Sequence, residues 1–243
     1  MPEPMAALPG QTILVTGASG GVGKAITRRL VKEGATVCLS GRNRGRLDEI
    51  IEKLPDGKGR CYPADLTVDS EVQAAVRKIL KENKRLDAVI HCAAIIMLKP
   101  VATAPARDFE KQLQTNVVGP FRLTQLLLPA LVSARGQIVF INSSAGRRAR
   151  ASLSQYAATK HALKAVADSL RDECNESGVR VCSIYLGSTA TSMQAAVRAQ
   201  EKRVYEPKRL IQPADVASVV CGVLALPRTA EVTDLVLRPM EQA

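Results

Sequence analysis

The feature that most constrains the fold is a short apolar strand that runs directly into a glycine-rich turn and a helix. Residues 11–17 (QTILVTG) form a β-branched apolar run of the kind that is buried on both faces of a parallel sheet. The turn at 17–23 (GASGGVG) follows at once, and residues 24–33 have helical apolar spacing. A helix N-terminus offers unpaired N–H groups, and glycine lets a diphosphate approach them. The pattern predicts dinucleotide binding at the turn; an ordinary tight βα connection is the alternative.

The spacing of this turn excludes two other phosphate-binding motifs. A P-loop has Ser or Thr after Gly-Lys, whereas here Ala25 follows Lys24, and Ala18 stands where the first glycine is required. The register G-x-G-x-x-G also fails, because Ile26 occupies its last position. What remains is T-G-x-x-x-G-x-G over residues 16–23.

The rest of the chain continues the alternation of strands and helices without a long linker or a repeat. It predicts one α/β domain over residues 11–243: a doubly wound parallel sheet of about seven strands with helices on both faces and right-handed crossovers. Residues 1–10 are predicted to be a flexible segment, and about 188–210 a mobile substrate flap. Further strands are predicted at 35–40, 59–62, 86–94, 136–142, 179–185 and 234–237, and helices at 44–54, 68–83, 107–132 with a bend at Gly119-Pro120, after Ser152, and at 213–226.

Candidate binding residues follow the predicted strands, at the edge where ligands bind in such sheets. The second strand ends in Arg42 with no carboxylate for the ribose hydroxyls, which favours NADP(H) over NAD(H); a solvated loop arginine is the alternative. The fourth strand ends in Ala93-Ala94, small enough for a flat cofactor to lie against the backbone. His91 is interpreted as a hydrogen-bonded histidine at a strand end rather than a catalyst.

Tyr156 and Lys160 are four residues apart in a run with helical spacing, so their side chains share one helix face. A phenol with a pKa of about 10 is almost entirely protonated at neutral pH. An ammonium about 4 Å away, at an effective dielectric of about 20, favours the phenolate by roughly 4 kcal/mol, or about three pK units, before burial subtracts from it. Tyr156 would then reach the range of general acid–base catalysis. Taken alone, the pair is more typical of an amphipathic helix surface.

Composition narrows the class of function. The formal net charge is +11, but the basic residues are scattered apart from Arg147, Arg148 and Arg150. Because the sequence has no basic stripe with interspersed aromatic residues, we do not expect a nucleic-acid partner. The six cysteines have no C-x-x-C pairing, which indicates reduced core residues and no metal site. Residues 1–10 lack the pattern of a signal peptide or a membrane span, so we expect a cytoplasmic protein with no membrane partner.

Over nearly its whole length, the chain resembles the short-chain dehydrogenase/reductase family. The resemblance implies a Rossmann-type fold, hydride transfer between NADP(H) and a carbonyl or alcohol substrate, and a homodimer or homotetramer packed through the helices that hold Asn116 and Tyr156. A catalytically silent NADP(H)-binding sensor or scaffold is the alternative, although such proteins usually lose the tyrosine or lysine. The resemblance rests on residues 16–23, Asp65, Ala93-Ala94, Asn116, Ser143, Tyr156-x-x-x-Lys160 and residues 187–191.

The resemblance also implies the roles of individual residues. Ser143 would hold the substrate carbonyl, Tyr156 would act as general acid and base, Lys160 would lower the tyrosine pKa and hold the nicotinamide ribose, and Asn116 would anchor a relay water. The family's serine stands 13 residues before its tyrosine, which selects Ser143 over Ser144. The resemblance also implies that Asp65 binds the adenine and Thr191 the carboxamide of the cofactor. The full set of other implied cofactor-binding residues is Gly17, Ser19, Gly21, Val22, Gly23, Arg42, Asp65, Leu66, Ala93, Gly187, Thr189 and Thr191.

The chain departs from the family pattern at three places. Its glycine turn lacks the basic residue that many NADP-preferring members carry, which weakens the argument from Arg42. His91-Cys92-Ala93-Ala94 replaces Asn-Asn-Ala-Gly, and Leu186 replaces a proline, which bears on cofactor geometry rather than on the chemistry. In the family, the loop before the tyrosine borders the substrate. Its arginines, Arg147, Arg148 and Arg150, therefore favour an anionic substrate; solvated side chains or a subunit contact are the alternative.

Overall fold

Seven parallel strands form the central layer of the fold, in the spatial order β3-β2-β1-β4-β5-β6-β7. The computed structural model describes residues 8–241. Every predicted strand is present, and the predicted doubly wound fold class is confirmed. The strands are β1 Thr12–Thr16, β2 Thr36–Gly41, β3 Gly59–Pro63, β4 Ala88–His91, β5 Gln137–Ser143, β6 Arg180–Leu186 and β7 Asp234–Leu237.

Helices cover both faces of the sheet, because successive strand residues point to opposite sides. Ile13 and Val15 belong to an apolar cluster shared with α1 and α8, whereas Leu14 belongs to a second cluster shared with α3, α5 and α6. The helices are α1 Gly21–Lys32, α2 Arg44–Ile51, α3 Asp69–Glu82, α4 Ala106–Leu113, α5 Gly119–Ala134, α6 Ser154–Cys174, α7 Ser192–Gln200 and α8 Pro213–Leu224.

The strand order reverses between β1 and β4, which opens a crevice at their carboxyl ends. The Thr16 hydroxyl ties the two strand ends together by accepting hydrogen bonds from Cys92 N (3.1 Å) and Ala93 N (3.2 Å). Gly17 follows with φ +62°, and a Cβ there would lie 2.8 Å from Ala93 Cα. The glycine turn can therefore pack directly against the end of β4.

Residues 8–10, which were predicted to belong to a flexible segment at 1–10, contact the rest of the fold; residues 1–7 lie outside the described part of the chain. Leu8 is buried in the first apolar cluster, and its N–H donates to Glu33 O at 2.9 Å. Gly10, with φ +78°, then turns the chain into β1. An apolar side chain that covers the end of α1 fixes this segment.

The predicted helix at 107–132 is two helices, α4 and α5, joined by a π-helical turn at Gln114–Val118. The irregularity lies just before the predicted bend at Gly119-Pro120: Gly119 N donates to Gln114 O, five residues earlier, and Pro120 has no N–H to donate. Within the helical stretch Ala106–Ala134, an 18-residue window has a mean hydropathy of 1.4, which makes the stretch long and apolar enough to span a membrane. This is weak evidence for a span, because a core helix of a soluble protein has the same length and composition.

The segment predicted as a mobile flap contains an ordered helix, α7, and a 3₁₀ turn at Pro207–Arg209. The Thr191 hydroxyl caps α7 by accepting from Gln194 N at 3.2 Å. Val197 and Arg198 on its inner face are buried. The arginine interrupts the apolar stripe that would have indicated an amphipathic helix.

Candidate active site

A cavity of about 450 Å³ opens at the carboxyl ends of the strands, around the reversal of strand order. Its size is in the usual range for cofactor and substrate sites. Residues from the glycine turn, the ends of β2, β4, β5 and β6, and helices α6 and α7 line it. The predicted residues that it brings together are Gly17, Ser19, Gly21, Val22, Gly23, Arg42, Asp65, Leu66, Ala93, Ser143, Tyr156, Lys160, Gly187, Thr189 and Thr191.

The glycine turn fits a diphosphate. A Cβ at Gly23 would lie 2.2 Å from Gly17 O, so only glycine allows α1 to begin this close to the turn. The first turn of α1 has no acidic residue, and its N-cap, Gly20, makes no side-chain cap hydrogen bond. The positive end of the helix dipole is therefore available to an anion.

Arg42 and Asp65, which were predicted to bind the adenosine half of the cofactor, lie at one end of the cavity. Arg42 directly follows β2 and is exposed, with no ion pair within residues 8–241. The Asp65 carboxylate accepts from Thr67 N (2.9 Å) and Thr67 Oγ1 (2.8 Å), and Leu66 beside it is buried. This end of the cavity therefore offers a guanidinium that no carboxylate of the described residues pairs with, and a carboxylate held in a tight local turn.

The segment after β6 closes the cavity over the glycine turn. Gly187 N donates to Leu237 O at 2.8 Å, and Thr189 Oγ1 donates to Gly187 O at 3.1 Å. Thr191 Cγ2 would lie 2.8 Å from a Cβ on Gly21, so Thr191 packs directly on the turn. Leu186, in the place of the family's proline, is buried as the last residue of β6 and does not displace this segment.

Ser143, Tyr156 and Lys160 lie together on one wall of the cavity. Ser143 ends β5, and its Oγ accepts from Ala145 N at 3.2 Å. Tyr156 is 8% exposed and Lys160 2% exposed, both on α6. The Lys160 Nζ donates to Ile141 O at 3.1 Å and lies 5.9 Å from the centroid of the Tyr156 ring.

The acidities of this pair differ from the sequence-based expectation. Burial raises the pKa of Tyr156 to about 12, and the nearby Ser143 hydroxyl offsets part of the shift. Burial lowers the pKa of Lys160 to about 8, with a smaller opposing effect of Cys92. The net shift of the Tyr156 pKa is therefore opposite to the predicted lowering, because burial disfavours the charged forms of both groups. Tyr156 is a protonated donor at neutral pH.

Asn116 is the predicted site residue that the cavity lining does not include. Its Oδ1 accepts from Ile95 N (2.9 Å), and its Nδ2 donates to Ile95 O (2.9 Å) and Thr159 Oγ1 (3.1 Å). Both amide hydrogens are thus used to hold the loop after β4 against α6. Gln112, which the sequence analysis missed, holds the same loop by accepting from Met97 N at 3.0 Å.

His91 is neutral and buried at the end of β4. The Thr124 hydroxyl donates to Pro120 O, so it accepts from His91 Nε2, 2.9 Å away, and this nitrogen carries the proton. The ring stacks on Phe140, and Nδ1 has no hydrogen-bond partner among the described residues. Burial lowers the pKa of His91 to about 3. The predicted hydrogen-bonded histidine is thus found, with one of its two nitrogens paired.

The three loop arginines do not act as one cluster. Arg148 and Arg150 line the cavity, whereas Arg147 lies over the Tyr185 ring, 5.7 Å from its centroid, and is not part of the lining. The cavity also contains Arg198 of α7, which the sequence analysis missed. Arginine is rarely buried, and only the fold reveals that this one is.

The fold and the cavity define a doubly wound α/β protein with a site that fits a dinucleotide. The sequence profile of the short chain dehydrogenases matches residues 11–202. An uncharacterized oxidoreductase of Staphylococcus aureus is 28% identical over 97% of this chain and 100% of its own length. The chain belongs to the short-chain dehydrogenase family, and it is an NAD(P)-dependent oxidoreductase.

Two solved structures of the same family resemble this one closely. A short chain dehydrogenase of Shigella flexneri complexed with NADP has a TM-score of 0.87 and 31% identity, over 96% of this chain and 98% of that chain. A short chain dehydrogenase of Escherichia coli complexed with NADPH has a TM-score of 0.86 and 31% identity, with the same coverage. The Rossmann-type fold is therefore shared along almost the whole chain.

The buried ammonium of Lys160 should cost stability in a pH-dependent way. Its folded pKa of about 8 lies below its ordinary 10.5, so its destabilising effect is complete below pH 8 and fades as the pH rises to 10.5. We expect Lys160→Met to raise the free energy of unfolding at pH 7, with the advantage over wild type shrinking toward pH 10. Urea unfolding at several pH values measures this, with exposed Lys53→Met as the control; a pH-independent difference would contradict it.

Proposed function

We propose that the protein is a reductase that moves hydride between NADP(H) and a carbonyl or alcohol substrate. The observation that carries the proposal is that Ser143, Tyr156 and Lys160 line the same cavity as the glycine turn. A hydroxyl and a phenol therefore share one cavity with a turn that fits a dinucleotide diphosphate, which supports the proposal. We also propose a cytoplasmic location, because the six cysteines are free thiols.

NADP(H) is the cofactor that the site supports best. The glycine cradle and the N-terminus of α1 would hold its diphosphate, and Arg42 would hold the 2′-phosphate of its adenosine ribose. The two relatives with 31% identity are complexed with NADP and NADPH. When bound, the nicotinamide supplies or accepts the hydride.

The side chains of this protein would manage the proton and the oxygen charge. Tyr156, protonated at neutral pH, donates its proton to the carbonyl oxygen as negative charge develops there. The Ser143 hydroxyl accepts from Ala145 N, which leaves its own hydrogen for the same oxygen. Lys160, held by Ile141 O, stabilises the phenolate left on Tyr156. Stabilisation is concentrated where charge appears in the transition state.

Removing the phenol hydroxyl should separate catalysis from cofactor binding. We expect Tyr156→Phe to lower kcat for NADPH-dependent carbonyl reduction by roughly 10²- to 10⁴-fold, because the proton donor is lost, while NADPH affinity changes little. Stopped-flow kinetics and NADPH fluorescence titration measure the two effects. Tyr185→Phe is the control, since its buried hydroxyl has no hydrogen-bond partner among residues 8–241 and lies outside the cavity lining. Undiminished activity in Tyr156→Phe would exclude this mechanism, and no turnover in wild type would favour a silent binding protein.

Arg42 should set the preference between the two nicotinamide cofactors. We expect Arg42→Ala to raise the KM for NADPH about 10-fold and leave that for NADH almost unchanged, because only NADPH carries the 2′-phosphate. Arg46→Ala, an exposed arginine in α2, is the matched control. Equal effects of Arg42→Ala on both cofactors would assign the phosphate contact elsewhere.

We further propose a homo-oligomer, either homodimer or homotetramer, packed through α5 and α6. The outer side of α5 exposes Phe121 (44%), Leu126 (37%) and Val132 (36%), an apolar face on a protein with net charge +11. We expect light scattering to give the mass of two or four 26.0 kDa chains, and Phe121→Asp to lower it. Val204→Asp, at an 80% exposed site outside α5, should not. A wild-type protein with the mass of one chain would refute the proposal.

A further inference from the structure

Arg198 is a buried cation with no hydrogen-bond or ion-pair partner for its side chain among the residues that the structure describes. Its side chain lines the cavity, the residue is only 5% exposed, and within residues 8–241 its guanidinium makes no hydrogen bond or ion pair. Removing a guanidinium from water is costly unless an anion compensates it. No side chain of the described fold provides that anion, so the compensation is expected from a ligand.

The position of Arg198 along α7 separates it from the glycine turn, which is the predicted site for the cofactor diphosphate. Thr191, which precedes α7, packs on Gly21 of the glycine turn. Arg198 follows seven residues later, which places it about 10 Å farther along the helix and on nearly the same face. It therefore lines the cavity beyond the turn, beside Met193 and Val197.

Three exposed arginines extend the positive charge along the same cavity. Arg148, Arg150 and Arg203 also line it, and none of them forms an ion pair within the described part of the chain. Glu201 is the one carboxylate of α7 and its flank in the lining, and it forms no ion pair with them. Four guanidinium groups against one carboxylate favour an anion in this part of the cavity.

We propose that the substrate is an anionic carbonyl compound whose carboxylate is bound by Arg198, with Arg148 and Arg150 beside it. This rests on the proposed reductase function and adds the substrate class. The planar fork of arginine matches a carboxylate in two parallel hydrogen bonds. The negative charge would anchor one end of the substrate while its carbonyl reaches Ser143 and Tyr156. Arg42 is at the adenosine end and takes no part in this subsite.

The first test uses matched carbonyl pairs with NADPH: succinate semialdehyde and 4-carboxybenzaldehyde, each with its methyl ester, and dihydroxyacetone phosphate with dihydroxyacetone. We expect a higher kcat/KM for the carboxylates than for their esters. Arg198→Met should raise the KM for the acids about 10- to 100-fold and leave the esters and the KM for NADPH nearly unchanged, since charged hydrogen bonds contribute that much. Arg198→Lys should restore part of the loss. Arg147→Met, which removes the same charge outside the cavity, should behave as wild type.

Several results would overturn the proposal. Equal kcat/KM for acids and esters would do so, as would an Arg198→Met effect confined to NADPH, which would assign the arginine to the cofactor. A preference for the phosphorylated ketone alone would replace the carboxylate by a phosphate. If Arg198→Met does not fold, the double variant Arg148→Met/Arg150→Met should still weaken the preference for acids, and an unchanged preference would refute the subsite.

A binding measurement keeps the subsite independent of turnover. The melting temperature of the NADP⁺-saturated protein is recorded with increasing 4-carboxybenzaldehyde and with its methyl ester. We expect stabilisation by the acid in wild type and Arg147→Met, and its loss in Arg198→Met. If no carbonyl is reduced but this pattern holds, the reductase proposal fails and the anion subsite stands; if the acid stabilises no more than the ester, the subsite fails.

Discussion

The close approach of backbone to backbone at the glycine turn is the constraint on which the site depends. Side chains at Gly17 or Gly23 would collide with the end of β4 or with the turn itself. Their absence lets α1 begin directly above the gap between β1 and β4, where the strand order reverses. The Thr16 hydroxyl then joins the two strand ends. This contact leaves the backbone of the glycine turn and the N-terminus of α1 accessible to an anion, at the crevice that the reversal of strand order opens.

Burial gives the opposite wall of the cavity its chemical character. Tyr156 and Lys160 lie out of water, so the phenol keeps its proton and the amine holds its own less tightly than in solution. Such an arrangement is unfavourable for the fold in isolation. It is useful when negative charge develops on a bound oxygen, because hydrogen bonds and charges act more strongly in a medium that contains little water.

Periodicity in the sequence was sufficient to predict all seven strands and the doubly wound sheet, because buried strands and amphipathic helices leave distinct patterns. It could not show α7, whose apolar stripe is interrupted by Arg198, or the anchoring of Leu8 by α1. Spacing brought Tyr156 and Lys160 to one helix face. Their pKa values depend on burial, with smaller effects of Ser143 on Tyr156 and of Cys92 on Lys160, and only the fold brings these groups together. For the same reason, the sequence could not predict the hydrogen-bond partners of Asn116. Nor could it predict that Arg147 lies away from the cavity that Arg148 and Arg150 line.

The tautomer of His91 has a consequence for how the protein responds to acidity. Burial between Thr124 and Phe140 keeps the ring neutral, and neither His91 nor His161 is among the described residues that line the cavity. Imidazole is the side chain that ordinarily titrates between about pH 5 and 8. Without an imidazole in the described lining, the cavity has no histidine that would titrate in this mildly acidic range. A fall in pH from 7 to 6 should therefore change the protonation of Tyr156 and Lys160 very little, because their pKa values of about 12 and about 8 lie above this range.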